Sequence, residues 1–80
     1  MTKLPTCSGK EAIRVFQRAG WAQDRQRGSH VTLIKSGIPI VHTVPLHSEL
    51  GPGLLRALIR KAGLTPDQFR ELLFLSPHPR

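Results

Sequence analysis

The chemistry in this chain concentrates in one short stretch, Arg25-Gln26-Arg27-Gly28-Ser29-His30, which sets two guanidinium groups, a hydroxyl and an imidazole around a glycine. Those groups suit phosphate. Guanidinium is a planar fork of donors that matches phosphate oxygens, and imidazole takes up and releases a proton near neutrality because an ordinary histidine titrates at about 6.5. Gly28 can adopt the positive φ of a tight turn between strands, so the backbone reverses there and carries Ser29 and His30 to one locale. Each group also has a plainer role. Arg25 and Arg27 are solvated strand charges as readily as phosphate ligands, Ser29 closes the turn before it serves any ligand, and His30 begins a strand.

The other histidines offer no second centre. His42 runs in phase with Ile40 and Val44, which is the pattern of a ring packed at the edge of a core. His47 lies in a loop, where it either reaches the surface of His30 or ties the loop together, the second role being favoured. His78 lies in the terminal segment and is given no role. Four histidines and one cysteine show none of the spacings that build a metal site, so neither a metal nor a cofactor is expected. The lone Cys7 excludes an internal disulfide, fits a reducing cytoplasm and has no activating neighbour, so it reads as a small residue rather than a nucleophile.

The elements that position the stretch follow from periodicity. Met1 to Thr6 reads as a mobile lead-in. Ser8-Gly9-Lys10-Glu11 fits a capping box, and Ala12, Ile13, Val15, Phe16 and Ala19 then form one apolar face, with Arg14 and Arg18 on the other side and Gly20 as the stop. Trp21 to Arg27 reads as a first strand with weak alternation, its indole packing near the end of the helix. His30 to Lys35 is the second strand, and Ser36-Gly37 turns into a third, Ile38 to Val44, with Pro39 at an edge. Leu46 to Gly53 reads as a loop closed by the Gly51-Pro52-Gly53 breaker. A second helix carries Leu54, Leu55, Leu58, Ile59 and Ala62 inward and ends at Gly63. Thr65-Pro66-Asp67-Gln68 starts a last short helix, Pro66 to about Leu75, with Phe69, Leu72 and Leu73 inward. Ser76 to Arg80, with two prolines, is expected to be disordered. The result is a single α+β domain, core about 8–75, a two-layer sandwich with both main helices on one sheet face and the other face open. Double-stranded-RNA-binding domains share that order of elements.

Eighty residues support one small core, and 39% apolar residues suffice to fold it without a metal or disulfide. Twelve Lys and Arg against five Asp and Glu give a net charge of +7, and the isoelectric point is about 11.3. That charge is interleaved with structured segments rather than gathered in a tail, which favours a polyanion such as nucleic acid over a merely soluble basic surface. No apolar run approaches the ~20 residues of a membrane span and none resembles a signal peptide, so a cytoplasmic location without membrane partners is expected.

Three motifs occur in order: Gly20-Trp21 leading to Arg27-Gly28-Ser29-His30, then Val44-Pro45-Leu46-His47, then Leu54-Leu55-Arg56-Ala57-Leu58-Ile59-Arg60-Lys61-Ala62-Gly63-Leu64. Together they resemble the HicA family of toxins, over about Ser8 to Leu73. The chain departs from that family at Leu33, where many members carry an aromatic residue, and at Gly51-Pro52-Gly53, where lysine or threonine is common. The resemblance implies a dsRNA-binding-like fold and an endoribonuclease that cleaves mRNA, held inactive by a HicB-type antitoxin. It implies that the histidine of the Gly-Ser-His turn, His30, is catalytic. Arg25, Arg27, Gly28, Ser29 and Lys35 make up the expected RNA-binding set.

The chemistry agrees with that implication. RNA carries its own nucleophile in the 2′-hydroxyl, so an enzyme need only move protons and stabilise the phosphorane, and one general acid or base contributes roughly 10² to 10⁴ in rate. Two other classes fit the same charge: a non-catalytic RNA-binding module, and a helix-turn-helix DNA-binding protein built on Leu54 to Leu73. Asp67 and Glu71 make the last helix a poor reader of the major groove.

Overall fold

The computed structural model describes residues 4–75. The expectations for residues 1–3 and 76–80, His78 among them, lie outside the described residues. The chain runs α1 (Gly9–Arg18), β1 (Ala22–Arg27), β2 (His30–Lys35), β3 (Ile38–Pro45), α2 (Pro52–Lys61) and α3 (Pro66–Leu73). The strands form one antiparallel sheet in the order β1-β2-β3. This is the expected α+β arrangement, with α1 and α2 against the sheet and α3 packed on both helices.

The α1 helix begins where the capping box places it. Ser8 Oγ accepts from the Glu11 amide at 3.1 Å, and the Glu11 carboxylate accepts from the Ser8 amide at 2.8 Å. Ala12, Ile13, Val15 and Phe16 are buried while Arg14 is exposed. Arg18 is an exception to the expected outer face: it is half-buried, and its guanidinium donates to the Leu72 carbonyl at 2.6 Å, tying α1 to the end of α3. Gly9 carries more than sequence reasoning assigned to it. It is buried, its amide donates to the His47 carbonyl at 2.9 Å, and a Cβ at this position would run into the Pro45 carbonyl. With Leu50 donating to the Cys7 carbonyl at 2.8 Å, the 46–50 loop is pinned along the start of α1. The lead-in is packed as well, since Leu4 lies against the core and Cys7 is inside it.

Alternation divides the sheet into two faces. Val31 and Leu33 of β2 and His42 and Val44 of β3 are buried under the helices. Trp21 precedes β1 and is buried; its indole reaches beyond α1, donating to the Ala62 carbonyl at the end of α2 at 3.3 Å. Phe16 links the layers further, 5.8 Å centroid to centroid from Phe69 of α3.

The strands shift by one residue at the start of β1 and the end of β3, and two helix boundaries differ more. Helix α2 starts at Pro52, not Leu54, because Gly51 is an extended N-cap and Pro52 occupies the first helical position, where its missing amide costs nothing. The supposed breaker is thus the helix start. Helix α3 begins as expected, with Thr65 and Gln68 exchanging capping bonds of 3.1 and 2.8 Å, but ends at Leu73. Phe74 and Leu75 are exposed, so nothing apolar holds another turn.

Candidate functional site

The Gly28-Ser29 pair joins β1 to β2 as a two-residue hairpin, with Arg27 directly opposite His30. Gly28 has φ +57° and no non-glycine residue among those described has a positive φ, the pattern of a type II′ turn, whose twist matches that of the strands. The turn is held from two sides. Gln26 donates its side-chain amide to the Gly28 carbonyl at 2.9 Å, and the Leu46 amide donates to the Ser29 carbonyl at 2.6 Å. Ser29 therefore closes the turn with its backbone, as the plainer reading had it.

Register brings the predicted chemistry to one place. The row Arg27, His30, Pro45 lies beside the row Arg25, Thr32, Thr43. Opposed side chains of an antiparallel pair leave the backbone about 5 Å apart, so Arg27 and His30 project side by side. Arg25, Arg27, His30 and Thr32 line a groove of about 420 Å³ on the open face. Arg25 and Arg27 share the open face by plain alternation, and a β-bulge between Gln23 and Arg25, with Asp24 as the extra residue, brings Gln23 to the helix side beside Gln26. Asp24 lies 4.0 Å from the Arg25 guanidinium, an exposed pair that a phosphate can displace at little cost. No carboxylate lines the groove among the described residues.

Thr32 is the residue that sequence reasoning missed. The signal was present, since it stands two positions from His30 in a strand and so shares its face. Lys35 is not brought to this group. It sits at the far end of β2 on the helix side, its ammonium 6.0 Å from the Trp21 ring centroid and its stem against Gly20.

Of the other described histidines, His42 is packed as expected and His47 adds no side chain to the groove. His47 is exposed and outside the groove, and it contributes its carbonyl to Gly9. His42 is fully buried, edge-on to Phe16 at 4.8 Å and tilted against Trp21 at 5.3 Å, and neither ring nitrogen has a hydrogen-bond partner. Burial pushes its pKa down from 6.5 to about 4; the positive charge of Lys61 adds to this, while the Leu58 backbone opposes them without meeting the geometry of a hydrogen bond. Burial likewise raises the Cys7 thiol to about 11, with Glu11 assisting, which leaves it a poor nucleophile. No group of three or more potential metal ligands occurs among the described residues, and no described helix is long and apolar enough to cross a membrane.

The comparisons with known proteins cover the stretch that contains this hairpin. Among curated proteins no significant match is found. A family model described as the HicA toxin of bacterial toxin-antitoxin matches residues 9–64, a span that runs from the first residue of α1 past the end of α2 and contains the whole sheet. With that span covering more than half of the chain, and with helix, sheet and Gly-Ser-His hairpin in the places the resemblance required, this chain belongs to the HicA toxin family.

Proposed function

We propose that this toxin is a metal-independent endoribonuclease that cleaves mRNA, with His30 as its general acid/base. The observation that carries the reading is the convergence of His30 with Arg25, Arg27 and Thr32 on a solvent-open, acid-free groove. In the cleavage step His30 takes the proton from a ribose 2′-hydroxyl as its oxygen attacks the adjacent phosphorus. Arg25 and Arg27 hold the phosphate oxygens and neutralise the phosphorane. The 5′-oxygen leaves with a proton supplied by solvent, which the open groove admits. Gly28 and Ser29 act through the backbone by fixing where His30 stands. Lys35 contacts only RNA that extends along the far end of β2. The natural partner is a HicB-type antitoxin whose acidic surface covers the basic open face, and the setting is the cytoplasm.

The mechanism predicts the products. Purified protein incubated with an end-labelled transcript in chelator should cut it and leave 2′,3′-cyclic phosphate and 5′-hydroxyl ends. Binding without cleavage would favour the non-catalytic RNA module, and a strict requirement for added divalent metal would overturn the mechanism.

A further inference from the structure

Strand β1 is an edge of the sheet, and both of its sides are polar. One carries Arg25 and Arg27 into the His30 groove. The other presents Gln23 and Gln26 to a second groove, about 330 Å³ in volume, whose far wall is α1. Lys10, Arg14 and Gln17 stand on that wall, all exposed, and half-buried Leu46 lies at its floor with the edges of buried Ile13 and Val31. Only the thickness of one strand separates the grooves, because Gln26 and Arg27 are consecutive.

The composition of the second groove is selective. The side-chain amides of Gln17 and Gln23 each pair a donor with an acceptor on one planar group, the match for the edge of a nucleobase, while Gln26 spends its amide on the Gly28 carbonyl; an acidic protein surface would call for cations throughout. Lys10 and Arg14, one helical turn apart, supply two cations for neighbouring phosphates. Among the described residues no carboxylate lines it, unlike the groove on α3, where Asp67 and Glu71 accompany Arg70. Half-buried Leu46 gives an unpaired base apolar surface to lie on.

We propose that the α1–β1 groove is a second RNA subsite, which reads an unpaired base flanking the cut through Gln17 and Gln23 while Lys10 and Arg14 hold the adjoining phosphates. This rests on the reading of the open face as an RNA-cleaving site: the strand crosses the β1 edge, one nucleotide on the His30 side and the next among the glutamines. The groove thereby supplies the sequence preference that the His30 groove, built of guanidinium groups and an imidazole, lacks.

The test uses the full chain carrying His30→Ala and fluorescein-labelled oligouridylate and oligoadenylate of about ten nucleotides, within the usual range for single-strand grooves. Lys10→Ala with Arg14→Ala should weaken both oligomers and lower the salt slope by about 1.4, at roughly 0.7 per phosphate contact on a single strand. Gln17→Ala with Gln23→Ala should narrow the affinity difference between the two oligomers and, with His30 restored, spread cleavage over more positions of a transcript. Gln26 is left intact because its amide supports the turn. Unchanged affinity, slope and cleavage pattern in both double variants overturn the subsite. Loss of antitoxin binding with RNA binding intact also overturns it, since the groove then serves the protein partner. Groove-dependent binding by a chain that never cuts RNA supports the subsite and refutes the nuclease reading alone.

Discussion

A buried imidazole with no hydrogen-bond partner among the described residues makes folding depend on pH. His42 is neutral in the fold and has a pKa of about 4, against 6.5 in an unfolded chain. Between those values the unfolded chain binds the extra proton, so stability rises with pH through the window. The contribution is fully present above about 6.5 and is lost as pH falls toward 4. At about 1.4 kcal/mol per pH unit the loss reaches about 1.4 kcal/mol at pH 5.5 and about 2.5 kcal/mol at pH 4.5. For a domain of this size that is a large part of the total. Urea unfolding at pH 7.5, 5.5 and 4.5, compared between the wild type and His42→Leu, isolates the imidazole because both chains share every other titrating group. The wild type should lose about 2.5 kcal/mol more than the variant between the extremes. His42→Gln provides the same comparison if leucine packs poorly against Phe16 and Trp21. Parallel pH curves for wild type and both variants would refute the reasoning.

Other expectations follow from backbone geometry and from the site. Gly9→Ala should destabilise the fold by about 1–3 kcal/mol in urea unfolding, because the new methyl meets the Pro45 backbone rather than a side chain that can move aside. Gly28→Ala has open space for its Cβ and should cost only about 1 kcal/mol, from the positive φ alone, with Gly28→Asn milder still. A larger cost at Gly28 than at Gly9 would contradict both assignments. Arg25→Ala and Arg27→Ala should each weaken binding of a single-stranded oligonucleotide and lower the salt slope by about 0.7, measured by anisotropy across a salt series. An unchanged slope in either variant removes that arginine from the phosphate site.

Much of this was legible from types and spacing. The capping residues Ser8 and Thr65, the positive φ at Gly28 and the packed His42 all follow from local rules, and each is in place. What was not legible depends on long-range contact. Gly9 reads as an unconstrained position inside a capping box until β3 and its loop are laid against α1. Gly51-Pro52-Gly53 reads as a break because glycine and proline both punctuate chains, and only the extended backbone at Gly51 shows proline serving as the first residue of a helix. Lys35 is the exception, since alternation within β2 already places it with Val31 and Leu33 rather than with His30 and Thr32. The bulge at Asp24 is invisible to a period-two reading, yet it sorts the arginines from the glutamines of β1.

Cleavage by His30→Ala tests the central claim most directly. Wild type and variant should share the same circular dichroism and urea midpoint, since His30 is exposed at the end of a strand. In chelator the wild type should cut a labelled transcript, and the variant should be slower by at least about 10², the lower range for loss of a general acid or base. A folded variant that still cuts within a few-fold of the wild-type rate would contradict the account.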